Sequence, residues 1–146
     1  MVSTSASRQK IMSALENQDY WLGLRINDER YALPASHVHS VFLCPEAEQS
    51  IKDLKISGVV VHEGEPVYLR NHFQLLKTSL AANNGVAWQQ VLKRDQAPWV
   101  VVLKDGADKG LGFRVNNIVG PFHSSTFPEA AFLHYNGSDF HLVGVL

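Results

Sequence analysis

The stretches WVVVL at residues 99–103 and GLGFRV at residues 110–115 give the clearest fold signal in the chain. Both are rich in the β-branched and aromatic residues that favour strands. The charged segment between them, 104–109, contains a glycine and two aspartates, which are residues that favour turns. Two short strands joined in this way predict an antiparallel β-hairpin.

Further hairpins are predicted on both sides of this one. Their paired segments are 20–26 with 31–33, 56–61 with 66–69, and 133–135 with 140–146, and their turns lie at 27–28, 62–65 and 136–139. Another strand is centred on Phe122. Many short strands with turn residues between them favour a β-barrel or a sandwich, so the sequence predicts an all-β fold.

Two segments show helical spacing instead. After Pro34, the apolar residues Val38, Val41 and Phe42 recur at intervals of three and four, which predicts one or two turns of helix. Residues 72–80 predict a second short helix.

The chain is expected to contain a single domain, 20–146, behind an N-terminal extension. Residues 1–19 are predicted to form either a short helix or a disordered segment. Within the domain, the polar residues from about 81 to 97 indicate a connector between one subdomain at about 20–80 and another at about 98–146.

The composition favours a globular protein and excludes several functional classes. Of 146 residues, 45% are apolar and 18% charged, a balance that supports a folded core. A net charge of −1 with scattered basic residues argues against nucleic acid and anionic membranes as partners. A lone cysteine, Cys44, fits a reducing compartment, and no run approaches the roughly 20 apolar residues of a membrane span. We therefore expect a cytoplasmic protein.

His37 and His39, together with Cys44, form the candidate site for metal or enzyme chemistry. Alternate residues of a strand face the same side, so imidazoles at this spacing can share a metal. The helical spacing around them argues against that geometry, and Cys44 lacks the basic setting that activates a thiol. No catalytic residue, metal ligand or cofactor is predicted, and a small β-barrel metal-binding protein or enzyme that uses these three residues is the alternative.

The order of the motifs resembles CheW-like chemotaxis coupling domains. Residues 20–34, 38–42 and 56–60 are similar to the first half of that family, and residues 99–103, 110–120 and 140–146 to its second half. The resemblance implies two small five-stranded, SH3-like β-barrels packed together with a groove between them. It also implies a non-enzymatic scaffold that links a chemotaxis-type histidine kinase regulatory domain, methyl-accepting receptor tips or a polar-localisation protein, recruited to membrane-associated or polar chemosensory arrays.

Candidate partner-binding residues follow from the groove between two barrels and from the resemblance. The groove would be lined by Val38, Phe42, Val59 and Val102. The resemblance adds Ser40, Gly58, His62, Glu63, Gly64, Gly112 and Asn116, with Val38 and Ser40 matching a groove-side helix of the family. Glu63 replaces a family arginine implicated in receptor contact, and this reversal of charge would repel the usual partner surface. A divergent member with changed partners is therefore expected.

Overall fold

The computed structural model describes residues 20–47, 57–78, 88, 90, 92, 97–104, 110–124 and 131–146. Its strands are β1 (Tyr20–Ile26), β2 (Glu29–Pro34), β3 (Val38–Leu43), β4 (Gly58–His62), β5 (Glu65–Leu69), β6 (Leu76–Thr78), β7 (Trp99–Leu103), β8 (Leu111–Val115), β9 (Asn117–His123), β10 (Phe132–Tyr135) and β11 (Ser138–Val145). A 3-10 turn spans Ala35–His37, and the helix α1 spans His72–Leu75. The described chain is mostly β, which confirms the predicted fold class.

The strands form two sheets. One has the order β10-β11-β2-β1-β9, with β6 also paired to β11, and the other has the order β3-β7-β8-β5-β4. We call them the six-stranded and the five-stranded sheet. The first has one strand more than predicted because β6 pairs with β11 through the register Val143 to Thr78.

Each sheet contains strands from both sides of residues 81–97. β1, β2 and β6 join β9, β10 and β11 in the six-stranded sheet, whereas β3, β4 and β5 join β7 and β8 in the five-stranded sheet. In the described structure these connections are made by two parallel pairs, β11 with β2 and β5 with β8, and by three antiparallel pairs, β1 with β9, β6 with β11 and β3 with β7. The sheets therefore do not follow the division of the chain into consecutive subdomains, and the predicted subdomain boundaries stay a prediction.

Three apolar clusters fill the space within and between the sheets. The cluster between them includes Leu24, Tyr31, Leu33, Val101, Phe113 and Val115. The cluster inside the five-stranded sheet contains Phe42, Cys44, Val60, Val67, Leu69, Val100 and Val102, and the cluster inside the six-stranded sheet contains Trp21, Ala32, Phe122, Leu133, Phe140 and Leu142. Successive side chains of a strand point to opposite faces, so β7 contributes side chains to two of these clusters. This explains its continuous apolar sequence.

The turns predicted at 27–28, 62–65 and 136–139 are confirmed, and two of them share one geometry, whereas residues 105–109 of the turn predicted at 104–109 lie outside the described residues. Glu63 and Asn136 have φ values of 53° and 52°, and the glycines that follow, Gly64 and Gly137, have 79° and 81°. Positive φ at both central residues is the geometry of a type I′ turn, which matches the right-handed twist of the strands it joins.

The prediction of a helix after Pro34 is wrong. Residues 38–43 form β3, which pairs with β7 and has an irregular register between Val38 and Ser40. Val41 packs against the cluster between the sheets, whereas Phe42 enters the cluster inside the five-stranded sheet. Because both faces of β3 carry apolar residues and its register shifts, its apolar residues recur at intervals of three and four, as they do in a helix. This spacing led to the wrong prediction.

The helix predicted at 72–80 is confirmed only in its first turn. α1 ends at Leu75, and the chain continues directly as β6. The backbone amide of Asn71 donates to the Gln74 side-chain oxygen at 3.0 Å and caps the helix. The helix considered for residues 1–19 lies outside the described residues, and within the described part no helix is long and apolar enough to cross a membrane.

Candidate functional site

The five-stranded sheet curls until its two edge strands meet through side chains. The rings of Phe42 on β3 and His62 on β4 stack with centroids 3.8 Å apart and planes 3° from parallel. In the described part of the chain, no backbone ladder joins β3 to β4. An aromatic stack therefore closes this sheet, and we call the junction the β3–β4 seam.

The outer face of this seam is apolar and open to solvent. The strand pairings make β3 and β4 antiparallel across the seam, so Leu43 and Val61, each next to a residue of the stacked pair, both face outward. They are 58% and 67% exposed. Pro66 lies opposite Val61 on β5, and Tyr68, also exposed, lies one position further along that face. We call Leu43, Val61, Pro66 and Tyr68 the seam patch.

Two carboxylates stand at one end of the seam patch. Glu63 and Glu65 belong to the β4–β5 turn and are exposed. The Glu63 carboxylate lies beside the His62 ring, with Oε1 3.8 Å from Nε2. The left-handed conformation of Glu63 costs a residue with a Cβ on the order of 1 kcal/mol, so this glutamate is a poor choice for the turn itself.

A buried arginine fixes the chain just after Leu43. The Arg114 guanidinium donates through Nη1 to the Cys44 carbonyl at 2.7 Å and through Nη2 to the Glu46 carbonyl at 2.8 Å. It also donates to the Ala97 carbonyl at 3.2 Å. Hydrogen bonds from a charged donor are stronger than neutral ones, so they hold one margin of the seam patch in place.

A second buried polar group lies between the two sheets. His72 Nε2 donates to the Trp88 carbonyl at 2.6 Å, and the two rings meet edge to face with centroids 4.6 Å apart. Burial lowers the pKa of His72, although the hydrogen bond to Trp88 acts in the opposite direction. Burial, with a smaller contribution from Glu29, raises the pKa of Tyr31 to about 12. Both groups are therefore neutral at neutral pH, and the pair anchors Trp88 in the core.

Comparison of the sequence with known proteins gives no match, whereas comparison of the fold with solved structures does. No family model and no curated protein matches the chain. Among solved structures, it is similar to the scaffolding protein TtCheW from Thermoanaerobacter tengcongensis, with a TM-score of 0.55 and 11% identity over 88% of this chain and 89% of that chain. The chain has a CheW-like fold. The resemblance expected from the motifs is confirmed at the level of the fold.

The predicted partner-binding residues fall into exposed, half-buried and buried groups within the CheW-like fold. Glu63 and Gly64 are exposed and His62 is about a third exposed, so this turn can be touched from outside. Val38 and Ser40 are half-buried on β3 instead of lying on a groove-side helix, and Val59 is half-buried on β4. The remaining predicted residues are buried: Phe42, Gly58, Val102, Gly112 and Asn116.

Two of the buried residues have clear structural roles. A Cβ added at Gly112 would lie 2.6 Å from the Val101 carbonyl oxygen, so only glycine allows β8 to approach β7 this closely. Asn116 Oδ1 accepts a hydrogen bond from the backbone amide of Asn27 and supports the β1–β2 turn. Direct contact of these residues with a partner stays a prediction.

The residues of the metal-binding alternative are not brought together. His37 is exposed in the 3-10 turn, and exposed His39 has Nδ1 3.3 Å from Ser40 Oγ. Cys44 is buried beyond the far end of β3 beside Arg114. Within the ranges that the structure describes, no three His, Cys, Asp or Glu residues lie close enough to hold a metal ion.

Interpretation of the sequence missed the seam patch. Val61 and Tyr68 alternate with the buried residues Val60, Val67 and Leu69, and this alternation could have marked them as outward-facing. Leu43 carried no such signal, because its place beside Val61 depends on how the sheet closes.

Proposed function

We propose that this protein is a non-enzymatic scaffold in chemotaxis-type signal transduction. The observation that carries the proposal is the likeness of the fold to a scaffolding protein, TtCheW, along 88% of this chain. The partners are the regulatory domain of a chemotaxis-type histidine kinase, the tips of methyl-accepting receptors or a polar-localisation protein. The protein acts in the cytoplasm and is recruited to membrane-associated or polar chemosensory arrays.

The turn at His62, Glu63 and Gly64 is the contact that we assign first. It is exposed, it protrudes from an edge of the five-stranded sheet, and it adjoins the apolar residue Val61. Exposed apolar side chains beside charged ones are suited to protein recognition, in which the charges select the partner and set the association rate. Val38 and Ser40, half-buried on the other edge strand, are assigned to the groove.

The buried polar groups agree with a role in binding. Arg114 donates to backbone carbonyls, and His72 donates to the Trp88 carbonyl, so both hold segments of the chain together. A scaffold needs rigid surfaces that keep their shape when several partners bind, and these internal hydrogen bonds supply that rigidity.

Binding of purified proteins tests the proposal. The regulatory domain of the chemotaxis kinase, a receptor-tip fragment and the polar-localisation protein from the same genome are titrated separately into the full chain by calorimetry. We expect at least one complex with a Kd of about 1 to 100 µM, the range of a small, transient interface. Binding to none of the three at about 100 µM contradicts the proposal.

A matched pair of variants locates the contact. Glu63→Lys should change the Kd of that complex by about tenfold, because it reverses a charge at the exposed turn. Asp28→Lys makes the same change at the exposed β1–β2 turn and should leave the Kd unchanged.

A further inference from the structure

The turn between β10 and β11 carries an asparagine followed directly by a glycine at the protein surface. Asn136 and Gly137 are both exposed, and they connect Tyr135 to Ser138, the last pair of the hairpin register. Asparagine is a thermolabile residue, because the backbone nitrogen that follows it can attack its side-chain amide carbon. Glycine presents the least hindered nitrogen for this attack, since it has no Cβ.

The geometry of this turn leaves the glycine nitrogen accessible. Asn136 and Gly137 have φ values of 52° and 81°, as in a type I′ turn. In a β-turn the backbone hydrogen bond joins the first and fourth residues, here Tyr135 and Ser138, so it does not use the Gly137 amide. A Cβ placed at Gly137 would meet no heavy atom within 4 Å apart from its chain neighbours. The side chain of Asn136 therefore has room to bring its amide carbon to that nitrogen.

The β1–β2 turn provides an internal comparison. Asn27 has a φ of 55°, close to that of Asn136, but the residue that follows it is Asp28. The Asp28 side chain hinders the approach of its backbone nitrogen, and its carboxylate disfavours the negative charge that the nitrogen must carry. The Asn27 backbone amide also donates to Asn116 Oδ1, and its carbonyl oxygen accepts from Arg25 Nη1 at 3.2 Å, so this turn is anchored. Reaction is therefore favoured at Asn136 over Asn27.

We propose that Asn136 is a site of spontaneous deamidation, which turns the neutral β10–β11 turn into an acidic one. The Gly137 nitrogen loses its proton to hydroxide and forms a bond to Asn136 Cγ. The bond from Cγ to Nδ2 breaks, and Nδ2 takes a proton from water and leaves as ammonia. Water then opens the resulting five-membered ring at either of its carbonyl carbons. The net reaction consumes water and releases ammonia, and it needs no oxidant or reductant.

The carbon at which the ring opens decides the structural result. Opening at Cγ gives aspartate, which keeps the hairpin, because Asp-Gly suits a type I′ turn as Asn-Gly does. Opening at the main-chain carbonyl carbon gives isoaspartate, whose main chain is longer by a methylene group. The length of a turn sets the register of its hairpin, so isoaspartate disturbs the pairing of Tyr135 with Ser138. It also separates His134 Nδ1 from Asp139 Oδ1, which are 2.7 Å apart in the unmodified protein.

Incubation of the full chain in warm, mildly alkaline buffer tests the proposal. Each conversion adds one negative charge to a chain whose net charge is −1, so ion exchange separates the product. Peptide mapping by mass spectrometry locates the converted residue and distinguishes isoaspartate from aspartate. It also scores separately the Asn-Gly pair at 84–85, which lies outside the described residues. We expect Asn136 to convert several-fold faster than Asn27, and the rate to rise with pH because the attacking nitrogen must lose its proton.

Two variants test whether the turn itself directs the reaction. Asn136→Gly removes the amide and keeps a pair that suits the turn, so conversion of this peptide should cease. Glu63→Asn creates an Asn-Gly pair in the β4–β5 turn, where the φ values of 53° and 79° match those of the natural pair, and position 63 should then convert at a similar rate.

Three outcomes would overturn the proposal. They are conversion of Asn136 no faster than that of Asn27, an unchanged yield of the acidic form in Asn136→Gly, and no conversion at position 63 in Glu63→Asn. The isoaspartate form, isolated by ion exchange, should exchange the amide hydrogens of β10 and β11 faster than the unmodified protein. Equal exchange in the two forms would overturn the structural consequence drawn for the hairpin.

Discussion

The two sheets close in the same way but present different outer faces. In each, a ring on one edge strand stacks on a ring of the other edge strand, Phe42 on His62 and Phe122 on Tyr135. Leu43 and Val61 flank the first stack on the outside, whereas His123 and His134 flank the second, and His134 bonds Asp139 at 2.7 Å. The comparison teaches that one mode of closure is compatible with different outer residues, since the buried rings stabilise the seam while the outward-facing neighbours differ between the two sheets.

The largest effect is expected from removing one ring of each stack. Phe42→Ala and Phe122→Ala each delete a buried aromatic side chain, and each should lower the free energy of unfolding by about 3 to 5 kcal/mol. Urea denaturation monitored by tryptophan fluorescence measures both. A loss below about 1 kcal/mol in either variant would show that the stack does not close that sheet.

A somewhat smaller effect is expected at Arg114, whose hydrogen bonds hold the segment after β3 in the five-stranded sheet. Arg114→Met keeps much of the side-chain volume but leaves the carbonyls of Cys44 and Glu46 without this donor, so we expect a loss of about 2 to 4 kcal/mol. Hydrogen exchange should increase at β3 and less at β9. Equal increases in both sheets would contradict a local role for these hydrogen bonds.

The pH dependence of stability tests the polar group between the sheets. Burial lowers the pKa of His72 in the folded protein. As the pH falls through about 6.5, the histidine is therefore protonated in the unfolded chain but stays neutral in the folded one. Its contribution to stability is therefore complete above about pH 6.5 and is lost as the pH falls toward the lowered pKa, at up to about 1.4 kcal/mol per pH unit.

Denaturation curves between about pH 7.5 and pH 5 measure this loss, and His72→Phe should remove its part of the slope. An unchanged slope in that variant would mean that other groups cause the acid sensitivity. The position of His72 in the core shared by the sheets predicts that both sheets lose stability together.

The smallest effect on stability is expected from substitutions in the two type I′ turns. Asparagine tolerates the left-handed conformation better than glutamate, so Glu63→Asn should raise the free energy of unfolding by about 0.5 kcal/mol and Asn136→Glu should lower it by a similar amount. Thermal melting measures the two shifts. Glu63→Asn should also weaken binding of the partner protein, because it removes a charge at the exposed turn, and a variant that gains stability and keeps full binding would argue against Glu63 as a contact.

The hairpins were predictable from the sequence because their turns are local. Asn27-Asp28 and Asn136-Gly137 combine turn residues with flanking strand patterns, and the structure confirms both hairpins. β3 was mistaken for a helix because Val41 and Phe42 bury opposite faces in different clusters, which removes the two-residue period. Local signals thus identify strands with one buried face more reliably than those with two.

The candidate site was predictable only in part. Glu63 was singled out through the family resemblance and lies at an exposed turn beside the seam patch. Leu43 and Val61 are distant in sequence, and only the closure of the sheet through Phe42 and His62 places both of them at one seam. Trp88 interrupted a polar connector, but nothing in its neighbours indicated that it would dock against His72 and Tyr31.

The interleaving of the strands also governs how the protein is made. β1 needs β9 as its neighbour, and Trp21 Nε1 donates to the Ser124 carbonyl across a separation of 103 residues. At about 5 to 20 residues per second, the ribosome takes roughly 5 to 20 s to supply that partner strand. During this time the early hairpins have unpaired edges, and unpaired strand edges favour aggregation. For the same reason, two fragments separated within 81–97 would each lack part of both sheets, and only their association could rebuild the protein.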